Sequence, residues 1–195
     1  MREACRQISE WRAGSIANRH LTISVNLSAK QFLQPNLVED IRKLLLELAL
    51  PPEALKLEIT ESTVMADPSA AVKMLQQMKS LGIRLAIDDF GTGYSSLSYL
   101  HRFPLDTLKI DRSFISTMCE GEEGMEIART ILPMANNLRL DVVAEGVETV
   151  QQVAMLQKLQ CKYGQGYYFS RPLSAEGTAA LLAGELTWQA CEQLV

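Results

Sequence analysis

The sequence predicts an α/β fold of the β/α-barrel class, parallel strands with helices packed outside, on three observations. Apolar strand-like runs recur six times along the 195 residues, separated by segments of helical period. Helix-start signals follow several of these runs directly. Each run also ends at or near a polar residue able to do chemistry. Strands alternating with helices imply a parallel sheet with right-handed crossovers, either doubly wound or closed as a barrel. A doubly wound sheet brings together only the strands at its switch point, whereas a barrel converges every carboxyl end on one face. Polar groups at the same end of six successive runs favour the barrel.

The first run is LTISVN (21–26). Ser28 with Gln31 then matches a capping box, and Leu37, Ile41, Leu44, Leu45 and Leu48 mark one apolar helix face. LKLEIT (55–60) is the second run. Asp67 followed by Pro68 reads as N-cap and first helical position; Val72, Leu75 and Met78 face inward, and Gly82 falls where that helix should stop. IRLAID (83–88) follows, then a glycine-rich turn and a short helix around residues 95–102. TLKI (107–110) and LDVVAE (140–145) are the next runs; Thr149 with Gln152 gives a second capping box, and GYYF (166–169) is the last run.

Composition narrows the function classes. With 47% hydrophobic and 22% charged residues the chain is an ordinary globular mix, and its length suits one domain over 1–195. No apolar run reaches the roughly 18 residues of a membrane span, and MREACRQISEW lacks a signal-peptide core. Cys5, Cys119, Cys161 and Cys191 lie far apart without a C-x-x-C pair, so reduced thiols and a cytoplasmic location are expected. A net charge of −4 with no basic block disfavours binding to a polymeric nucleic acid, which relies on phosphate neutralisation. A small anionic ligand is compatible if metal ions lie between it and acidic groups.

Each candidate residue has an ordinary reading beside the chemical one. Asp88 and Asp89 read either as a turn, with Asp89 capping the next helix, or as a carboxylate pair bridging divalent metals. In LEITES, Glu61 solvates a loop, caps a helix or serves the site; Glu58 sits among apolar neighbours, where an unpaired carboxylate is costly and a metal would remove the cost. Lys109 either pairs at the surface with Asp106 or Asp111, or stays charged in an acidic mouth, orienting a water or stabilising an oxyanion. The Asn26 amide caps a helix or ligates a hard cation. Glu145 and Glu148 suit a helix N-terminus as well as a site, and Gln165 lies between glycines that permit close approach of a ligand. His20 and His101 offer no ligand spacing. An amide, a lysine and several carboxylates without thiols select Mg²⁺ or Mn²⁺, and two such ions suit phosphodiester hydrolysis.

VNLSAKQF, LEITES, AIDDFGTGYSSLSYL, LKID, VVAEGVET and QGYYFSRP, in this order, resemble the EAL domain, the cyclic di-GMP phosphodiesterase, from about Leu21 to Leu173. The resemblance implies a (β/α)₈ barrel that hydrolyses cyclic di-GMP to the linear dinucleotide with Mg²⁺ or Mn²⁺ in bacterial signalling. It implies Asn26, Glu58 and Asp88 as ligands of a first metal and Asp89 with Asp88 as support for a second. Lys109 is similar to the lysine that orients the attacking water, Glu145 to the general base or metal partner, and Glu61 to the glutamate anchoring the loop after the aspartate pair. Gln165 and Glu148 match further positions of the mouth, where they would meet substrate. Homodimerisation, and regulatory or sensory domains outside this chain, are implied in the same way.

The chain also departs from the family pattern. The Glu-Ala-Leu motif of the first strand is absent; the same letters at residues 53–55 precede the LEITES strand and are a coincidence of spelling. Six of eight strands are expected, with the first strands missing and MREACRQISEW as the helix entering LTISVN. Lys162 stands where the family has an aspartate. These departures keep a second reading open, a cyclic di-GMP receptor or interaction module that does not cleave, and a third, an assembly partner without a nucleotide site.

Overall fold

The computed structural model describes residues 1–93, 97–119 and 122–184. They fall in two compact units, Met1–Asp106 and Thr107–Val195.

In the first unit, helix Arg2–Gly14 leads into strand β1, Ile23–Asn26. Helix Leu37–Glu47 joins it to β2, Leu55–Thr60, and helices Glu61–Ala66 and Pro68–Ser80 join β2 to β3, Arg84–Phe90. The three strands are parallel, with Asn26 opposite Glu58 and Thr60 opposite Asp88. β2 and β3 are covered on both faces: Leu55, Leu57, Ile59, Leu85 and Ile87 are wholly buried on one, and Glu58, Ala86 and Asp88 nearly so on the other. β1 instead alternates half-buried and exposed residues, the pattern of a strand with one covered face.

The second unit repeats the plan. Strand β4, Thr107–Ile110, is followed by helices Arg112–Thr117 and Glu122–Asn137; β5 is Asp141–Ala144 and β6 is Tyr163–Gly164, with helix Val150–Lys158 between them and helix Ala175–Leu182 after. These strands too are parallel, with Lys109 opposite Val143 and Ala144 opposite Gly164. Two capping boxes form as the sequence predicts, Ser28 with Gln31 and Thr149 with Gln152, and the Asp67 carboxylate accepts from the Ala70 amide ahead of Pro68. No helix among the described residues is long and apolar enough to cross a membrane.

Three boundaries differ from expectation. The last strand is Tyr163–Gly164, and residues 166–169 form a turn in which the Phe169 amide donates to the Gly166 carbonyl at 3.1 Å. Aromatic residues favour strands, but here the chain turns, and at Gly166 it lies so close to Val147 that a Cβ would meet its carbonyl oxygen at 2.2 Å. β3 extends through Phe90, so the aspartate pair lies within the strand's end. The helix expected around residues 95–102 is Leu97–Leu100; Ser95 and Ser96 lie outside the described residues.

Candidate active site

In the first unit the register gathers the acidic residues. Neighbours in a parallel sheet point to the same side and strand positions two apart share a face. Asn26 is level with Glu58, and Asp88 is two positions beyond Ala86, which is opposite Glu58. Asn26, Glu58 and Asp88 therefore lie on one face near the carboxyl ends of three adjacent strands. Asn26 is exposed, while Glu58 and Asp88 are 8% and 9% accessible. Strict alternation would send Asp89 to the other face, but its φ of 54° breaks the strand geometry. The two aspartates end with carboxylate oxygens within 4.8 Å of one another. A non-glycine residue in the left-handed region is costly unless its surroundings enforce it. Here the Asp89 carbonyl accepts from the Thr92 hydroxyl at 2.8 Å, and its amide donates to the Asp88 carboxylate at 3.2 Å.

Glu61 begins the helix after β2, and at 2% accessibility it is not a solvated loop residue. Its carboxylate reaches across to the turn after β3, accepting the Gly91 amide at 3.0 Å. A Cβ on Gly93 would sit 3.2 Å from the other oxygen, so the turn lies directly over the carboxylate.

The second unit contains a buried ion pair. Lys109 on β4 is 4% accessible, and its ammonium lies 2.6 Å from Glu145 Oε1, in the loop after β5. Gln165 Nε2 donates to the same oxygen at 2.9 Å. The backbone positions all three: the Glu145 amide donates to the Ile110 carbonyl and the Gln165 amide to that of Ala144. Lys109 is buried rather than a surface residue; Asp106 accepts from Lys79 at 2.8 Å and Asp111 from the Ser113 amide at 2.9 Å. Glu148 is exposed, and its amide donates to Gln152.

Two residues with a hand in this arrangement were not singled out as site residues in the sequence. Asp106 accepts the Leu85 amide at 2.7 Å and donates its own to the Leu85 carbonyl, which clamps the start of β3. Gly146, at φ 66°, lets the loop seat on Arg112, whose Cβ would lie 2.5 Å from an added Cβ. The Gly in AEGVET was the available signal for the second; a lone aspartate ahead of a strand carries none.

The chain matches the EAL domain family over residues 1–172 and belongs to it. It is 45% identical over 181 residues to the bifunctional diguanylate cyclase/cyclic di-GMP phosphodiesterase MucR of Pseudomonas aeruginosa, covering 93% of this chain and 26% of that protein. It thus spans about a quarter of that relative's length. The solved PaMucR phosphodiesterase c-di-GMP complex superimposes with a TM-score of 0.87 at 45% identity, over 91% of this chain and 71% of that one. A manganese/cy-diGMP complex of Klebsiella pneumoniae BlrP1 gives a TM-score of 0.79 at 31% identity, over 88% of this chain and 42% of that one. The fold is accordingly the TIM-like fold of the EAL domains, represented among the described residues by six strands and their helices.

Proposed function

We propose that this chain carries the phosphodiester hydrolase chemistry of its family: water-dependent opening of cyclic di-GMP to the linear dinucleotide, assisted by Mg²⁺ or Mn²⁺. The observation that carries the reading is the placement of Glu58 and Asp88, two largely buried carboxylates on one sheet face beside Asn26. An amide oxygen and two carboxylates on one sheet face make an all-oxygen, thiol-free donor set, which suits a hard divalent ion. Asn26, Glu58 and Asp88 would hold one ion, and Asp89, beside Asp88, would support a second. A bound ion would supply Lewis-acid polarisation of the phosphate and an acidified water.

Contacts within each unit support the remaining proposed roles. Glu61 anchors the turn after the aspartates through the Gly91 amide, which supports the conformation that Asp89 adopts. Lys109 is buried against Glu145, so its ammonium is held at a defined point, able to orient a water or to offset charge developing on phosphate oxygens. Glu145 would take the proton of the attacking water, or serve as a metal partner. Gln165, hydrogen-bonded to Glu145, and exposed Glu148 would meet the nucleotide. One water adds in the reaction: its oxygen bonds phosphorus, a phosphorus–oxygen ester bond breaks, and the proton reaches the departing sugar oxygen.

The deciding experiment incubates the purified chain with cyclic di-GMP and Mg²⁺ or Mn²⁺ and follows the linear dinucleotide by chromatography. Product that disappears in Asp88→Ala/Asp89→Ala is the expected result. A folded chain that binds the nucleotide without cleaving it would overturn the hydrolase reading and leave a receptor.

A further inference from the structure

We propose that Gln152 is a positioning residue for the loop 145–148, holding it against the helix that follows the strand of Lys109; the inference rests on the hydrolase reading above. Gln152 is 5% accessible, and its side-chain amide has three partners. Oε1 accepts from the Glu148 amide at 2.7 Å and the Thr149 amide at 3.0 Å, while Nε2 donates to the Ile115 carbonyl at 3.1 Å. A capping box needs only the reach back to the N-cap amide, here Thr149. The bonds to Glu148 and Ile115 go further and join two elements.

The chemistry fixes the direction of this side chain. Two backbone N–H groups require an acceptor, so the oxygen faces them and the amino end faces the carbonyl. Ile115 lies in helix Arg112–Thr117, whose N-cap Asp111 comes two residues after Lys109. The same helix meets the loop at its other end, where Gly146 packs on Arg112. Between these points the Val147 amide donates to the Gln165 carbonyl at 3.0 Å, and the Val147 carbonyl accepts from Tyr168 at 2.9 Å. Gln152 thus secures the far end of a four-residue loop whose near end is Glu145, the partner of Lys109. Glutamate would cap this helix as well as glutamine. It would also set a carboxylate oxygen against the Ile115 carbonyl, so the preference for glutamine comes from the tie between elements.

Gln152→Glu therefore separates capping from positioning, and Thr149→Ala removes the cap hydroxyl while sparing the tie. Both are compared with the wild-type chain by amide hydrogen exchange and by steady-state hydrolysis of cyclic di-GMP with Mn²⁺. In Gln152→Glu, exchange at residues 145–149 should rise about tenfold while the middle of helix Val150–Lys158 stays within about twofold. The same variant should lose about tenfold in kcat with KM within about twofold, because a misplaced Lys109–Glu145 pair affects the chemical step more than binding. Thr149→Ala should lower Tm with kcat retained. Unchanged exchange at 145–149, exchange rising evenly through the helix, or an equal kcat loss in both variants would each overturn the inference. If the wild-type chain forms no linear dinucleotide, the hydrolase reading fails and exchange alone decides the role of Gln152.

Discussion

At the scale of single residues, the Lys109–Glu145 pair combines burial with opposite charge, its side chains 5% and 13% accessible. Removing one member of such a pair takes a buried partner from the other charge, which costs more than the pair itself contributes. Lys109→Met is expected to lower unfolding free energy by about 3 kcal/mol, and Lys109→Met/Glu145→Gln to recover most of the loss, as measured by urea titration. Asp111 shows a different balance. Its burial opposes ionisation, but hydrogen bonds from Ser113 and the backbone, with the nearby Arg112 charge, outweigh it and hold the carboxyl below 3.8. A folded pKa below the unfolded one gives stability that is present above about 3.8 and lost as pH falls through the folded value. The Tm gap between wild type and Asp111→Ala should therefore narrow as pH is lowered from 7 toward 3, and a gap independent of pH would refute this account of the cap.

At the scale of elements, three helices end alike. Helices Leu37–Glu47, Glu122–Asn137 and Val150–Lys158 are followed by Ala49, Arg139 and Gln160 at φ 47°, 59° and 59°. In each, the next amide reaches back to a carbonyl in the last turn: Leu50 to Leu45, Leu140 to Ala135, Cys161 to Leu156. This is the Schellman closure, which redirects the chain toward the following strand, and glycine is its least strained occupant. After helix Pro68–Ser80 the left-handed position is already a glycine, Gly82 at φ 88°. Ala49→Gly should stabilise the chain by about 0.5–1 kcal/mol, read as a higher urea midpoint at an unchanged slope. A lower midpoint would show that the lost methyl contact, or the entropy that glycine adds to the unfolded chain, outweighs the relieved strain.

At the scale of the whole molecule, the proposed metal site connects the proposed chemistry to stability. A ligand that binds only the native state raises stability by mass action, by about 2.7 kcal/mol at a concentration of 100 Kd. Tm should accordingly climb with added Mn²⁺ in the wild-type chain, stay level in Asp88→Ala/Asp89→Ala, and return to its starting value on adding a chelator. The same rise in both proteins would place the ion elsewhere than on the aspartates. Because the chain spans about a quarter of its relative MucR, any control of activity by other domains concerns a larger molecule than the one described.

Hydrophobic period, capping boxes and Pro-Gly punctuation are local signals, and from them the sequence by itself determined the parallel α/β alternation and most element positions. Its motif order also identified the family and a set of candidate residues. Tertiary structure alone decided which of their ordinary readings fail. Glu61 is buried against the Gly91 amide, and Lys109 pairs with Glu145 thirty-six positions along the chain, since a parallel sheet makes neighbours of distant segments. It also ended the last strand at Gly164, against the aromatic preference of residues 167–169, where the chain turns with the Phe169 amide on the Gly166 carbonyl. The double use of Gln152 was likewise invisible, since the capping motif records its bond to Thr149 but not the carbonyl of Ile115. Such contacts depend on packing between elements, and no local pattern in the chain encodes them.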